Sequence, residues 1–358
     1  MPRGQQLEYP MSLTREEIHA MPKTDLHVHL DGSIRLATMI ELAQERQIEL
    51  PSMDEKELYR KLRLGSHFDN LVDYLSVFRH TLSVMQDEEA LERTAYELAE
   101  DNAQENVRWL EVRYSPILHT DKGLGLPQVM DAVLRGLKRA ERDYNIRCGV
   151  IICGIRNINP GTSIRLAELT VAYKNQGVLG FDLAGAEANF PAKDHREAFY
   201  LIRKNNINCT VHAGEAYGPD SIHQALHHLN AHRIGHATRL KEDGDLLNFM
   251  NDHRIPIEAC PTSNVQTRVC ETLGDHPIKF YLDVGLRVTV NTDNRLISNT
   301  TVTDELFQVA TTFGMDREDV LKLITNGFKS AFLPFREKRR MIQAVLTEVG
   351  YENTLVGY

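Results

Sequence analysis

Apolar residues along this chain fall into two alternating kinds of segment. Short β-branched or apolar runs end in polar residues, and the longer stretches between them carry apolar positions at helical spacing. The short runs predict eight strands, at 24–29, 107–114, 147–154, 178–184, 207–212, 232–237, 255–260 and 287–292. Helical patterns lie between most of them, for example at 87–105 and 127–144. Strand followed by helix, repeated, argues for parallel strands joined by helical crossovers. Eight such units predict an α/β fold of the (β/α)8 TIM-barrel type; the competing architecture is an open doubly wound sheet with a second domain. Two segments exceed the minimum barrel unit. Residues 31–106 read as a helical insertion after strand 1, able to cover a pocket, and 303–350 read as two or three C-terminal helices that complete the barrel. The expected organisation is an N-terminal extension over 1–22 and a single barrel domain over 23–358.

Composition narrows the class. The chain has 358 residues, 42% hydrophobic and 25% charged, which excludes collagen-like and disordered proteins. That length suits two domains or one large barrel. The formal net charge of −9 argues against duplex nucleic acid or an anionic membrane surface as partner, since both require a positive patch. No apolar run reaches the ~18 residues of a membrane span, and residues 1–23 lack the apolar core of a signal peptide. The five cysteines (Cys148, Cys153, Cys209, Cys260 and Cys270) form no CxxC pair, so a reducing, cytoplasmic location is expected and the thiols are given no role.

The candidate chemistry sits at strand ends. His27 and His29 are alternate residues of DLHVHLDG, so both imidazoles face one side of their strand. The fifth strand ends at His212, with Glu215 at the start of the following loop. The sixth carries His236 in RIGHAT, and the eighth ends at Asp293, followed by Asn294. Any one of these alone reads as a cap or a satisfied polar core group. Together they occupy strand ends that barrel topology brings to one face. Three His and one carboxylate suit zinc, or iron or cobalt in the same geometry. Glu215 and His236 are left as acid or base groups. A metal site with an open position activates water, so the residues themselves point to metal-assisted hydrolysis with a carboxyl group placed for proton transfer. The cluster His223, His227, His228 and His232 falls on a predicted helix and reads as a solvated helix face.

The segments MPKTDLHVHLDGS, EVRYSP, FDLAG, TVHAGE, RIGHAT and VNTDN, in that order, resemble the adenosine deaminase family of the amidohydrolase superfamily. The resemblance spans about Lys23 to Phe335. It implies a (β/α)8 barrel holding one Zn2+ per chain, with His27, His29, His212 and Asp293 as ligands. It implies that Glu215 donates a proton to the purine ring nitrogen beside the reacting carbon. His236 then orients or deprotonates the attacking water and stabilises the oxyanion, and Asp293 helps to aim the nucleophile. Gly185 is implied as the residue whose backbone N–H meets a purine ring nitrogen, Asp31 as the acceptor of a ribose hydroxyl, and Tyr74, Leu75 and Phe78 as an apolar gate. The implied partners are a small purine nucleoside, adenosine or deoxyadenosine, and water. Where many family members carry a second Asp after the strand-eight Asp, this chain has Asn294. An amide donates to an acceptor nitrogen of the five-membered ring without first needing a proton. CPTSNVQTRV and RIGHATRL also differ from the animal enzymes, and both line the family's pocket.

Three rival readings remain at this level. A related deaminase acts on free adenine or an aminofutalosine-type nucleoside. A binuclear amidohydrolase needs a bridging lysine or an extra carboxylate at strand four, and FDLAG supplies no Lys. A non-enzymatic barrel predicts loss of a ligand or of the acid, and none is lost. Zinc deaminases of the H-x-E with P-C-x-x-C type, P-loop enzymes and G-x-S-x-G hydrolases lack their motifs here.

Overall fold

The computed structural model describes residues 13–350. Eight parallel strands follow one another around a ring: β1 (Lys23–His29), β2 (Val107–Tyr114), β3 (Arg147–Ile155), β4 (Val178–Ala184), β5 (Asn208–Ala213), β6 (Arg233–His236), β7 (Ile257–Ala259) and β8 (Val288–Val290). Each pairs with the next in chain order. The ring closes where the chain leaving β8 meets β1. There the His29 N–H donates to the Asp293 carbonyl at 2.7 Å, and the Asp293 N–H donates to the His27 carbonyl at 2.8 Å. Closure makes this a TIM barrel and removes the open doubly wound alternative.

Two strands are shorter than their apolar patterns predict. β7 and β8 keep only three residues each. Beyond them, side chains replace the ladder. Asn291 accepts from the Leu26 N–H at 2.9 Å and donates to the Ala259 carbonyl at 3.2 Å, and Thr292 bonds Asp25. Polar residues at these ends therefore satisfy the backbone of neighbouring strands without extending the sheet.

The insertion between β1 and β2 is helical as expected, with helices at Leu36–Glu45, Glu55–Lys61, Leu71–Leu75, Phe78–Val84 and Glu88–Gln104. Asp87 caps the last of these through the Ala90 N–H. A short helix (Arg295–Ser298) and then three longer ones follow β8, at Val302–Phe313, Arg317–Ser330 and Phe335–Glu348, and Arg317–Ser330 packs on β1 and β8. Part of the N-terminal extension is also ordered onto the barrel. Thr14 and Glu17 form a reciprocal cap on the helix Arg15–Ala20, whose Ile18 is fully buried. The buried Lys23 ammonium, at the start of β1, donates to the carbonyls of Ile18, His19 and Met21. Three donors meet three acceptors and fasten this helix to the end of the barrel away from His29. No helix among the described residues is long and apolar enough to cross a membrane.

Candidate functional site

Alternation along β1 sends Leu26 and Val28 toward the surrounding helices and Asp25, His27 and His29 into the barrel. His27, His29, His212 and Asp293 come together: one ligand atom from each lies within 4.8 Å of the others. His29 Nε2 is 3.2 Å from His212 Nε2, and Asp293 Oδ1 is 3.5 Å from His27 Nε2 and 3.4 Å from His29 Nε2. The barrel thus unites residues separated by most of the chain.

Groups beneath the site decide which nitrogens face it. A carboxylate only accepts, so His27 donates from Nδ1 to Glu258 Oε2 at 2.9 Å, and His212 donates from Nδ1 to Asp182 Oδ2 at 3.0 Å. Both rings then present bare Nε2 atoms. Arg113, fully buried on β2, bridges the two carboxylates, reaching Asp182 Oδ2 at 3.1 Å and Glu258 Oε2 at 2.9 Å. Burial opposes charge on Glu258 and Asp182. The Arg113 and Arg233 cations hold Glu258 well below the usual carboxylate range, and His212 and Arg113 do the same for Asp182. This carboxylate–histidine arrangement is the usual support of a metal site. The donor set fits a cation for a further reason. His27 Nε2 is buried with no hydrogen-bond partner, and the Nε2 atoms of His29 and His212 face each other within the same small space. Lone pairs converging without a proton donor are stabilised by a positive ion.

A cavity of about 420 Å³ opens above these residues, with His29, His212, His236, Asp293 and Glu215 on its floor. His236 and Asp293 both adopt left-handed backbone, at φ 62° and 59°. Such strain in non-glycine residues persists only where surrounding bonds hold it, and here it turns both side chains toward the cavity. Glu215 Oε2 lies 3.6 Å from His236 Nε2. Burial, with the nearby charges of Asp293 and Glu187, pushes the Glu215 carboxyl well above its usual range, which favours its protonated form. The turn bearing it is pinned by Glu187, whose carboxylate accepts from the backbone N–H groups of Gly214, Glu215 and Tyr217 at 2.7, 3.0 and 2.9 Å. Buried Arg156 donates to the His212 carbonyl on β5, just before that turn.

The remaining expected residues line the cavity walls. Asp31 has a buried, unpartnered Oδ1, and burial pushes its carboxyl up to about 7. Gly185 sits at φ 93°, and a Cβ there would come within 2.9 Å of Asn157 Oδ1. Both facts demand glycine where backbone must approach a ligand. Asn294 is buried and packs so tightly on Gly32 that a Cβ on that glycine would meet Asn294 Oδ1 at 1.9 Å. Tyr74, Leu75 and Phe78 line the opposite side, and the Tyr74 hydroxyl shares a 2.9 Å hydrogen bond with Ser298. His223 and His227 lie side by side on an exposed helix face, as expected, but His232 lies beyond that helix and its Nδ1 accepts from the Cys209 N–H at 3.0 Å. Cys148 lies near the start of β3 and is only partly covered, whereas the other four thiols are buried.

The sequence alone left Arg113, Asp182, Glu258, Glu187 and Asn264 without roles. Glu187 and Asn264 lie outside the strands and carried no signal. For Arg113, Asp182 and Glu258 the signal was present, since a charged residue inside an apolar strand is seldom fully buried unless paired. The partners, however, lie on other strands. The strand-four carboxylate, Asp182, supports His212 by accepting from its Nδ1.

The adenosine deaminase family model matches residues 22–348. A probable adenosine deaminase of Dictyostelium discoideum is 42% identical over 91% of this chain, which spans 42% of that longer protein's length. An adenosine deaminase of Mycobacterium sp. (strain JLS) is 41% identical over 93% of this chain and 96% of its own. Among solved structures, the adenine deaminase of Arthrobacter aurescens superposes with a TM-score of 0.86 at 26% identity, covering 92% of this chain and 99% of that one. A zinc-bound amidohydrolase from Burkholderia ambifaria gives 0.86 at 23% identity, covering 95% of each chain, and shares the fold.

Proposed function

The chain belongs to the adenosine deaminase family, and on that premise we propose how its own residues carry out the reaction. It is a hydrolytic deaminase that converts adenosine and water to inosine and ammonia. In our reading His27, His29, His212 and Asp293 hold one Zn2+ per chain, and deoxyadenosine is also a substrate. A divalent cation held there supplies Lewis-acid activation of water to hydroxide at neutral pH.

The observation that carries this reading is a buried carboxyl with a raised pKa, Glu215, on the same cavity floor as the converging ligands. Glu215 donates its proton to the purine ring nitrogen beside the reacting carbon. That carbon becomes electrophilic and water's oxygen adds to it; one water proton passes to the amino group, which leaves as ammonia when the C–N bond breaks, and the other returns to Glu215. His236 directs Nε2 at the oxygen and stabilises the charge that develops on it. Asp293 aims the nucleophile as well as binding metal. The Gly185 N–H meets a purine ring nitrogen, Asn294 donates to the five-membered ring, and Asp31 together with His29 borders the ribose.

Free adenine, the substrate named for one structural relative, lacks a ribose and would leave the buried Asp31 oxygen unpaired, at a cost of about 1–3 kcal/mol. That favours the nucleoside. Turnover measured on adenosine, adenine and aminodeoxyfutalosine tests the choice: strong activity on adenosine is expected, and its absence alongside activity on either other compound would overturn it. We further read residues 23–358 as one catalytic barrel. The protein is placed in the cytoplasm with neither nucleic acid nor membrane as partner, consistent with five unpaired thiols.

A further inference from the structure

Which nitrogen of His236 carries the proton is specified by a chain of hydrogen bonds that begins at a backbone amide. The Ile278 N–H donates to His276 Nδ1 at 3.1 Å. A backbone N–H cannot accept, so that nitrogen is bare and neutral His276 holds its proton on Nε2. Burial holds the His276 ring neutral, with its pKa pulled down to about 3. His276 Nε2 lies 3.2 Å from Asn264 Oδ1, and the Thr238 hydroxyl donates to the same oxygen at 3.1 Å. Two donors at one end of the amide fix its orientation. The other end, Nδ2, can only donate, and it lies 3.0 Å from His236 Nδ1. His236 Nδ1 is therefore bare, and its proton belongs on Nε2, the nitrogen 3.6 Å from Glu215. Asn264 is fully buried and His276 nearly so, so water does not compete for these bonds.

We infer that Asn264 and His276 are positioning residues of the deamination: anchored on the Ile278 amide, they set the tautomer of His236 so that its ring faces the reacting centre as a hydrogen-bond donor. A donor there stabilises negative charge growing on the attacking oxygen. The opposite tautomer would present a lone pair to that charge and repel it. Hydrogen bonds made to the remote nitrogen of a histidine are a general means of selecting the tautomer at the working nitrogen. The effect on rate rests on the deaminase reading above; the tautomer itself does not.

The test uses the metal-loaded full chain labelled with nitrogen-15 histidine. The His236 resonances should show a protonated Nε2 and a bare Nδ1. Asn264→Asp replaces the donor with an acceptor, so the proton should move to Nδ1 and kcat should fall about 10–100-fold, while KM for adenosine stays nearly constant. A wild-type proton on Nδ1 overturns the inference. So does a loss of kcat in Asn264→Asp with the tautomer unmoved, or a moved tautomer with full kcat. If Asn264→Asp does not fold, His276→Gln serves. Its amide can still donate to Asn264, so His236 should keep its proton on Nε2; a shift to Nδ1 contradicts the relay. A chain inactive on adenosine that still shows the Nε2 proton would sink the adenosine reading and leave the tautomer assignment standing.

Discussion

Glu215 and the histidines around it divide the labour by environment. At Glu215 burial and the charges of Asp293 and Glu187 outweigh Arg156 and raise the pKa, whereas Asp182 and Glu258 sit against Arg113, which lowers theirs. Glu215→Gln removes the proton donor while keeping size and neutrality. It should retain metal and ligand binding and lose about 10²–10⁴-fold in kcat, and steady-state kinetics beside a metal assay checks both. Unchanged kcat would remove Glu215 from the mechanism. Glu258→Gln acts on the metal, by loosening His27. Metal affinity should fall about 10–100-fold, readable by competition with a chelating dye. His27, His29, His212, Glu215, His236 and Asp293 were legible in the sequence because each ends a predicted strand or opens the loop after it. Arg113, Asp182 and Glu258 were not, because their meaning lies in contacts to other strands far away in sequence.

At the level of elements, the site depends on turns held by side chains. One carboxylate, Glu187 from the loop after β4, accepts three backbone N–H groups of the loop after β5. Glu187→Ala leaves those donors unpaired, two of them buried, and should cost about 3 kcal/mol of stability. Denaturant unfolding measures this, and a loss below about 1 kcal/mol would show that water replaces the carboxylate. The same economy shortens β7 and β8, where Asn291, Thr292 and Asp25 take over from ladder bonds. Apolar periodicity reports where a strand can run. It does not report where side chains will end it, which is why the predicted ends at 255–260 and 287–292 overran. Helix boundaries were clearer: Asp87 announces the helix Glu88–Gln104 through a cap that is local in sequence.

Across the whole molecule, closure of the barrel turns scattered residues into a site, and stability is tied to that closure. Glu305, on the helix Val302–Phe313, accepts from the Thr262 N–H in the short helix Pro261–Gln266 at 3.1 Å and from the Thr300 hydroxyl at 2.8 Å. Burial raises its pKa from 4.5 to about 7. Between those values the folded chain keeps a proton that the unfolded chain has released. Its contribution is therefore complete below about pH 4.5 and disappears as the pH rises through about 7, a change on the order of 3 kcal/mol. Glu305→Gln cannot ionise, so its stability relative to the parent should improve over that interval, as paired thermal melts would show; a constant difference would refute the assignment. The fold class, the insertion and the helical tail were legible because strand and helix periodicities alternate eight times. The ordered helix within the N-terminal extension was not, since its reason is the buried Lys23 that it caps.

The central claim is that four residues from β1, β5 and the end of β8 bind one ion on which deamination depends. The most direct measurement titrates metal-stripped chain with Zn2+ while following inosine formed from adenosine. No turnover is expected without metal, followed by a linear rise and a plateau at one ion per chain. Full turnover in the stripped chain, or a plateau at two ions, would contradict it.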